Sequence, residues 1–259
     1  MSLNFEKWHG NGNDFIIVNS IENELKITKN KIIKISDRNT GIGFDQLIKI
    51  DLPTKSNQNF YVRFFNADGS EAGMCLNGIR CAAKYIWNNS FAPISPLSIQ
   101  TKTKNIVCEP KKKNTVQVRV SEPDKLNHKD LHNKLKNKAI NNFFISNIGN
   151  NHLCIEMKSI KKINLNEMYE NLETVIKDFD INLSIFKKNQ GSIDIRTYEN
   201  GVGETLSCGS AALCIASSFL KDKSLKIKSM GGELVFKKNK DVILMTGPAS
   251  FIYKGNISE

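Results

Sequence analysis

No stretch of this 259-residue chain approaches the ~18 consecutive apolar residues that suggest a membrane span. The opening residues, Met1-Ser2-Leu3-Asn4-Phe5-Glu6-Lys7, lack the basic region and apolar stretch of an export signal. Both absences point to a cytoplasmic protein with no membrane partner. Cys-x-x-Cys pairs are missing too, and only four histidines are present, so no metal site is expected. The six cysteines stand at 75, 81, 108, 154, 208 and 214. Without export, three disulfides are not expected, and free thiols are the default.

What is present is enough for a folded protein. A hydrophobic fraction of 40% supports real cores, and the length suits one large domain or two ordinary ones. The formal charge of +11 raises the question of a nucleic-acid or other polyanionic partner. The lysines are scattered, however, and their densest run, Lys111-Lys112-Lys113-Asn114, reads as a hairpin turn. Joint enrichment in Lys, Asn and Ile points to an AT-biased genome as much as to a selected surface. No nucleic-acid partner is expected.

An internal repeat organises the chain. Arg63-Phe64-Phe65-Asn66-Ala67-Asp68-Gly69-Ser70-Glu71-Ala72-Gly73-Met74-Cys75 aligns without gaps on the segment from Arg196 to Cys208. Arg, Glu and Cys coincide, Phe65 falls on Tyr198, and Cys81 falls on Cys214. After each cysteine, apolar residues follow at the spacing of a helix face: Ile79, Ala82, Ala83, Ile86 and Trp87, then Ala212, Ile215, Ala216, Phe219 and Leu220. Each half therefore reads as strand, polar Gly-rich loop, cysteine and buried helix. A weaker pair, Gly12-Asn13-Asp14-Phe15-Ile16 with Gly149-Asn150-Asn151-His152-Leu153, supports the duplication.

Elsewhere the pattern is mostly strand. Residues 15–18, 47–50, 61–65 and 115–120 are rich in β-branched or aromatic side chains, as are 143–145, 153–155, 192–198, 225–227 and 242–245. Helices are expected at 29–37 and 166–178. The polar, Lys/Asn-rich stretch 121–142 is the natural boundary between halves. Two similar α+β domains facing each other across a cleft follow from this reading.

The repeat places a cysteine at two helix starts. Unpaired backbone N–H groups and the positive end of the dipole make each start an anion site. The same feature can lower a thiol from ~8.5 into the ~3.5–7.5 range. A thiolate and a thiol can then coexist near neutrality. Inverting a carbon centre requires a base on one face and an acid on the other, and two pseudo-symmetric cysteines flanking a bound carboxylate supply both. The competing reading is a pair of structural cysteines at equivalent packing positions. Against it stand the polar neighbours Asn66, Asp68, Glu71, Asn77, Glu199 and Glu204. Cys81 and Cys214 lie within the apolar helix runs and Cys108 and Cys154 on strands, so these four read as core.

At these residues the chain resembles the diaminopimelate epimerases. The resemblance covers nearly the whole chain and rests on His9-Gly10-Asn11-Gly12-Asn13-Asp14-Phe15, Gly43-Phe44-Asp45-Gln46-Leu47, the segment Phe65 to Glu71, and Gly203-Glu204 through Cys208-Gly209-Ser210. It implies an α+β fold of the α/β type, with two pseudo-symmetric domains, each a curved, mostly antiparallel sheet around a central helix. Their cleft would hold the active site. The halves would be residues 1–120 with 250–259, carrying Cys75, and 121–249, carrying Cys208. The implied activity is interconversion of LL- and meso-diaminopimelate in lysine and peptidoglycan synthesis, with no cofactor and no metal; the implied partners are an amino-acid substrate and a second copy in a homodimer. Cys75 and Cys208 would transfer the protons, and His152 and Glu199 would orient or tune them. Ligand contacts carry over to Asn13, Gln46, Asn66, Asn150, Asn182 and Glu199, with Leu76-Asn77 and Gly209-Ser210 holding the reacting carboxylate.

Three positions depart from the family pattern. Cys75-Leu76-Asn77-Gly78 replaces Cys-Gly-Asn-Gly, which removes a glycine's access to positive φ. Tyr198-Glu199-Asn200-Gly201 replaces Tyr-Glu-Arg-Gly, exchanging a guanidinium, the strongest clamp for a distal carboxylate, for an amide that can still hydrogen-bond. Gly149-Asn150-Asn151-His152 lacks the family's proline, a rigid turn residue. A second enzymatic reading is therefore a racemase, independent of pyridoxal phosphate, for another amino acid. A basic polyanion-binding protein is the reading from another class, and salt-dependent binding without α-proton exchange distinguishes it.

Overall fold

The computed structural model describes residues 2–22 and 24–258. In chain order the first elements are β1 (Leu3–Gly10), β2 (Asn13–Asn19), α1 (Lys29–Ser36), β3 (Gln46–Asp51), β4 (Phe60–Asn66) and β5 (Glu71–Ala72). Next come α2 (Leu76–Asn88), β6 (Leu97–Gln100), β7 (Asn105–Pro110), β8 (Thr115–Ser121), β9 (Asp124–Leu126) and α3 (Lys129–Asn137). The later part contains β10 (Phe143–Asn147), β11 (Asn151–Glu156), α4 (Leu165–Ile176), β12 (Ile181–Asn189), β13 (Ser192–Glu199) and β14 (Gly203–Thr205). It ends with α5 (Gly209–Phe219), β15 (Leu225–Ser229), β16 (Gly232–Asn239), β17 (Val242–Pro248) and β18 (Ser250–Ile257). The chain divides into two compact units, 1–119 with 246–259 and 120–245.

In the first unit β18 runs antiparallel to β1, β1 to β2 antiparallel, and β2 parallel to β3. Then β4 lies antiparallel to β3 and β5 and parallel to β6, and β6, β7 and β8 follow antiparallel. The second unit repeats this wiring: β9, β10 and β11 are antiparallel neighbours, and β11 is parallel to β12. β13 lies antiparallel to β12 and β14 and parallel to β15, which pairs antiparallel with β16. Each unit has a mostly buried helix against its own sheet: α2 packs on β1, β2, β3, β4 and β7, and α5 on β11, β15 and β16. Most residues of both helices are buried, as expected of helices apolar on more than one face. The outer face of the first sheet is covered by α1, through Ile32 and Ile35 on Phe5, Ile16, Val18 and Leu47. In the second unit α3 and α4 join a corresponding cluster with Leu153, Ile155, Leu183 and Ile185.

Sheets covered on both faces explain why β2 carries an unbroken buried run, Phe15-Ile16-Ile17-Val18. By contrast β8 alternates buried Val116, Val118 and Val120 with more exposed positions, so only one face is covered. The lysine run does form the β7–β8 turn, with Lys113 and Asn114 both at positive φ, as a two-residue hairpin turn demands. The stretch 121–142, taken as a polar boundary, contains β9 and α3. Its helix is anchored by Leu131 and Leu135 alone, one turn apart, and that stripe is too thin to stand out among lysines.

Candidate active site

Both loop cysteines are helix N-caps. Cys75 precedes α2 with extended dihedrals (φ −134, ψ 119), and its sulfur accepts the Gly78 N–H at 3.3 Å. The thiol sulfur thus occupies the position usually held by a Ser or Asp oxygen. Cys208 precedes α5 with φ −110 and ψ 112, and its Sγ lies 3.3 Å from Ser210 Oγ. The local cause is the same in each half: a short strand, β5 or β14, ends three residues before the cysteine that opens an apolar helix, and the cysteine is the half-in residue where orphan N–H groups accumulate. A hydrogen bond or a helix N-terminus directed at sulfur favours the thiolate.

The first unit brings five of the expected residues into two hydrogen-bonded groups. The Cys75 thiol faces Asn13 Oδ1 at 3.6 Å, and Asn77 Nδ2 approaches the same oxygen at 3.4 Å. Asn77 is turned this way by Arg80, whose fully buried guanidinium donates to Asn77 Oδ1 (2.9 Å), Leu76 O (3.0 Å) and Pro248 O (3.2 Å). In the second group, every donor points toward Asp68. Ser70 donates its hydroxyl to Asp68 Oδ1 (2.6 Å), Asn66 Nδ2 donates to Ser70 Oγ (3.0 Å), and Gln46 Nε2 donates to Asn66 Oδ1 (2.8 Å). A carboxylate only accepts, so this chain leaves Gln46 Oε1 as a buried acceptor with no partner among the described residues. Leu76 is the first residue of α2, is buried, and has no positive φ, so a leucine meets the backbone demand there as well as a glycine.

In the second unit, register makes the duplication visible. His152 pairs with Asn182 as Phe15 pairs with Gln46, so Asn182 is the counterpart of Gln46 and His152 that of Phe15. Asn182 Oδ1 accepts the Asn200 N–H at 2.8 Å, and Glu199 accepts from Thr205 Oγ1 at 2.7 Å. His152 is fully buried, and neither ring nitrogen has a partner among the described residues. That burial pulls its imidazole down to about 4, so it is neutral at physiological pH. Asn150 is half-buried in the β10–β11 turn, where its carbonyl accepts from Ile148 N–H. Asn200, standing where the family has arginine, is exposed, yet its amide is engaged. Its Oδ1 accepts from Tyr169 OH (2.9 Å) and its Nδ2 donates to Asp180 (2.7 Å), while Tyr169 stacks on Tyr198 at 4.0 Å.

Two repeated residues have a structural rather than a ligand-facing explanation. Arg63 grips Glu71 through two hydrogen bonds (2.8 and 3.2 Å), and Arg196 grips Glu204 in the same way (2.6 and 2.8 Å). The polarity of Glu71 and Glu204 is therefore spent inside each hairpin, holding the strand that leads to the cysteine. Sequence reasoning missed Arg38, Asp45, Arg80 and Tyr169; Asp45 stood beside Gln46 in a quoted motif, whereas the others carry no local signal. Among the described residues, no group of three or more His, Cys, Asp or Glu is placed to hold a metal ion, and no helix is long and apolar enough to cross a membrane.

The remaining cysteines are inert by environment. Cys81, Cys108 and Cys214 are pushed up to about 12 by burial, and Cys154 is raised well above the usual thiol range for the same reason. Native-state treatment with iodoacetamide at pH 7.5, a value chosen below ~8.5 for a free thiol, is expected to leave these four unmodified. Peptide mapping that finds Cys108 or Cys154 labelled in the folded protein contradicts this.

Residues 5–126 and 144–252 match the family model described as diaminopimelate epimerase. The chain is 36% identical to a diaminopimelate epimerase of Buchnera aphidicola subsp. Acyrthosiphon pisum (strain 5A), over 98% of this chain and 96% of that one. It is 32% identical to the diaminopimelate epimerase of Legionella pneumophila (strain Lens), over 99% of both. Among solved structures, a Bacillus anthracis phenazine biosynthesis protein of the PhzF family has the same fold, with a TM-score of 0.75 at 14% identity and full coverage of both chains. A predicted epimerase from Pseudomonas aeruginosa has it as well, with a TM-score of 0.72 at 9% identity over 99% of both chains. With two N-cap cysteines at the repeated hairpins and relatives matched along nearly its whole length, this chain belongs to the diaminopimelate epimerase family.

Proposed function

We propose that this chain is a cofactor-independent isomerase that interconverts LL- and meso-diaminopimelate in lysine and peptidoglycan synthesis. Cys75 and Cys208 act on opposite faces of one α carbon. One observation carries the reading: the same hairpin, cysteine N-cap and buried helix occur twice, so each half offers an equivalent proton-transfer group. The thiolate of one cysteine takes the α proton, forming S–H as C–H breaks. The thiol of the other then protonates the opposite face and becomes the thiolate. Backbone N–H groups at Leu76-Asn77 and Gly209-Ser210 hold the carboxylate that takes up the developing charge. Gln46 Oε1, an acceptor awaiting a donor, suits a substrate ammonium group. His152, neutral, and Glu199 tune the second cysteine, while Asn13, Asn66, Asn150 and Asn182 complete the polar lining.

Asn200 motivates the alternative, a racemase of an amino acid without a distal carboxylate, because its amide is held by Tyr169 and Asp180 and no guanidinium stands there. The named relatives favour diaminopimelate. Cytoplasmic location and a homodimer belong to the same reading; the exposed Phe251, Ile252 and Tyr253 on β18 support a second copy as partner. The test is α-proton exchange in deuterated water across an amino-acid panel that includes diaminopimelate, without added cofactor. Diaminopimelate is expected to give inverted product labelled at Cα, and preference for a monocarboxylate at that step selects the alternative.

A further inference from the structure

Outside the groups that contact substrate in this reading lies an ionic cluster built around Asp45. Its Oδ2 accepts from Asn13 Nδ2 at 2.7 Å and from the Asp14 N–H at 3.1 Å. Its Oδ1 accepts from Arg38 Nη2 at 2.7 Å. Arg38 also forks onto Asp14, at 2.7 and 3.1 Å, and Lys7 binds Asp14 from the other side together with Gly43 O. Asp14 in turn accepts the Asp45 N–H at 3.1 Å, so the two carboxylates hold each other's backbone. Arg38 is more than half exposed, yet it spans both acids and holds Asp45 in one rotamer.

The consequence reaches the sulfur through one amide. A carboxylate facing Asn13 can only accept, so the nitrogen of that amide must turn to Asp45 and its oxygen to the opposite side. On that opposite side stand the Cys75 thiol and Asn77 Nδ2, both donors, the latter held by Arg80. The bond to Asp45, at 2.7 Å, is much shorter than the approaches of Asn77 Nδ2 at 3.4 Å and the thiol at 3.6 Å, so Asp45 is the dominant determinant of that orientation. We propose that Asp45, fastened by Arg38, is a positioning residue that fixes the Asn13 carbonyl against Cys75 and keeps Cys75 in its proton-carrying form in the unliganded enzyme. The proposal rests on the two-base reading and deepens it: the Asn13 carbonyl opposes the Gly78 N–H that favours the Cys75 thiolate, so the resting acid is Cys75 and the other cysteine begins as the base.

The experiment follows Cys75 alkylation by iodoacetamide against pH, with peptide mapping to isolate that residue, in the full-length protein. Asp45→Ala frees the amide to turn its nitrogen to sulfur, which favours the thiolate, so the midpoint for Cys75 is expected to fall by about one pH unit or more. Asp45→Asn keeps an oxygen toward Asn13 and is expected to stay near the wild-type midpoint. In Asp45→Ala, kcat falls about tenfold or more while KM stays within about threefold, within the range of a displaced acid–base group. An unchanged Cys75 midpoint in Asp45→Ala overturns the proposal. If that variant does not fold, Asn13→Ala, which deletes the acceptor itself, must lower the midpoint, and failure to do so is equally decisive. Alkylation requires no turnover. A wild-type enzyme that exchanges no α proton sinks the two-base reading, whereas one that exchanges normally with an immovable Cys75 midpoint sinks only the role of Asp45.

Discussion

Replacing either N-cap cysteine with alanine is expected to lower epimerisation by about 10³-fold or more, since general acid–base groups contribute ~10²–10⁴-fold and inversion needs both. The loss should fall on kcat and kcat/KM together, because proton transfer stabilises only the transition state. At Cys75 the substitution also removes a capping acceptor for Gly78 N–H, which costs about 1 kcal/mol of stability. Cys75→Ser separates the two effects. A serine oxygen restores the cap, but a hydroxyl ionises too poorly to serve as the base, so stability recovers while activity does not. Chemical denaturation and α-proton exchange in deuterated water, measured on the same samples, check this. Full epimerisation by Cys75→Ala or Cys208→Ala would falsify the two-base assignment.

Acid should weaken the fold through His152. Its imidazole titrates near 6.5 in an unfolded chain but is pulled down to about 4 in the native state by burial. Between those values the unfolded chain binds the proton and the folded protein does not. Stability is therefore fully present above about pH 6.5 and declines as pH falls toward 4, by about 3 kcal/mol if this residue acts alone. His152→Leu keeps similar volume, and both ring nitrogens lack partners among the described residues, so the replacement strands no hydrogen-bonding group. The variant is expected to be at least as stable at pH 7 and to have a flatter profile below pH 6. Urea midpoints from pH 7 to pH 4 decide the matter; parallel profiles for wild type and His152→Leu reject this account. Phe15 occupies the corresponding register in the first unit, which shows that the position tolerates an apolar ring.

Local patterns made much of the fold legible. The β-branched or aromatic runs at 15–18 and 61–65 fall on β2 and β4, because side chains covered on both faces or alternating between them leave a direct mark on sequence. β1 and β18 were not read. β1 mixes Glu6, Lys7 and His9 with its apolar residues, and β18 is exposed along much of its length, so neither carries a clean period of two. Nor was α3, where two leucines anchor a helix otherwise rich in lysine. For the candidate site, the place of the two cysteines ahead of buried helices was legible because the duplicated segments could be aligned without gaps, and the helix after each has an unmistakable apolar face.

The amino-acid sequence by itself determined the duplication, the position of each cysteine before a buried helix, and the family to which the chain belongs, since all three are written in residues close together along the chain. Only the tertiary structure decided which way the polar groups point. Asp45 reaches Asn13 across 32 positions and Asn13 reaches Cys75 across 62. Arg80 is buried with carbonyl acceptors, one of them at Pro248, and Glu71 and Glu204 are neutralised by Arg63 and Arg196. The physical reason is that an amide or a carboxylate has no direction of its own. Its orientation is set by whichever donors and acceptors the fold brings against it, and those come from strands distant in sequence.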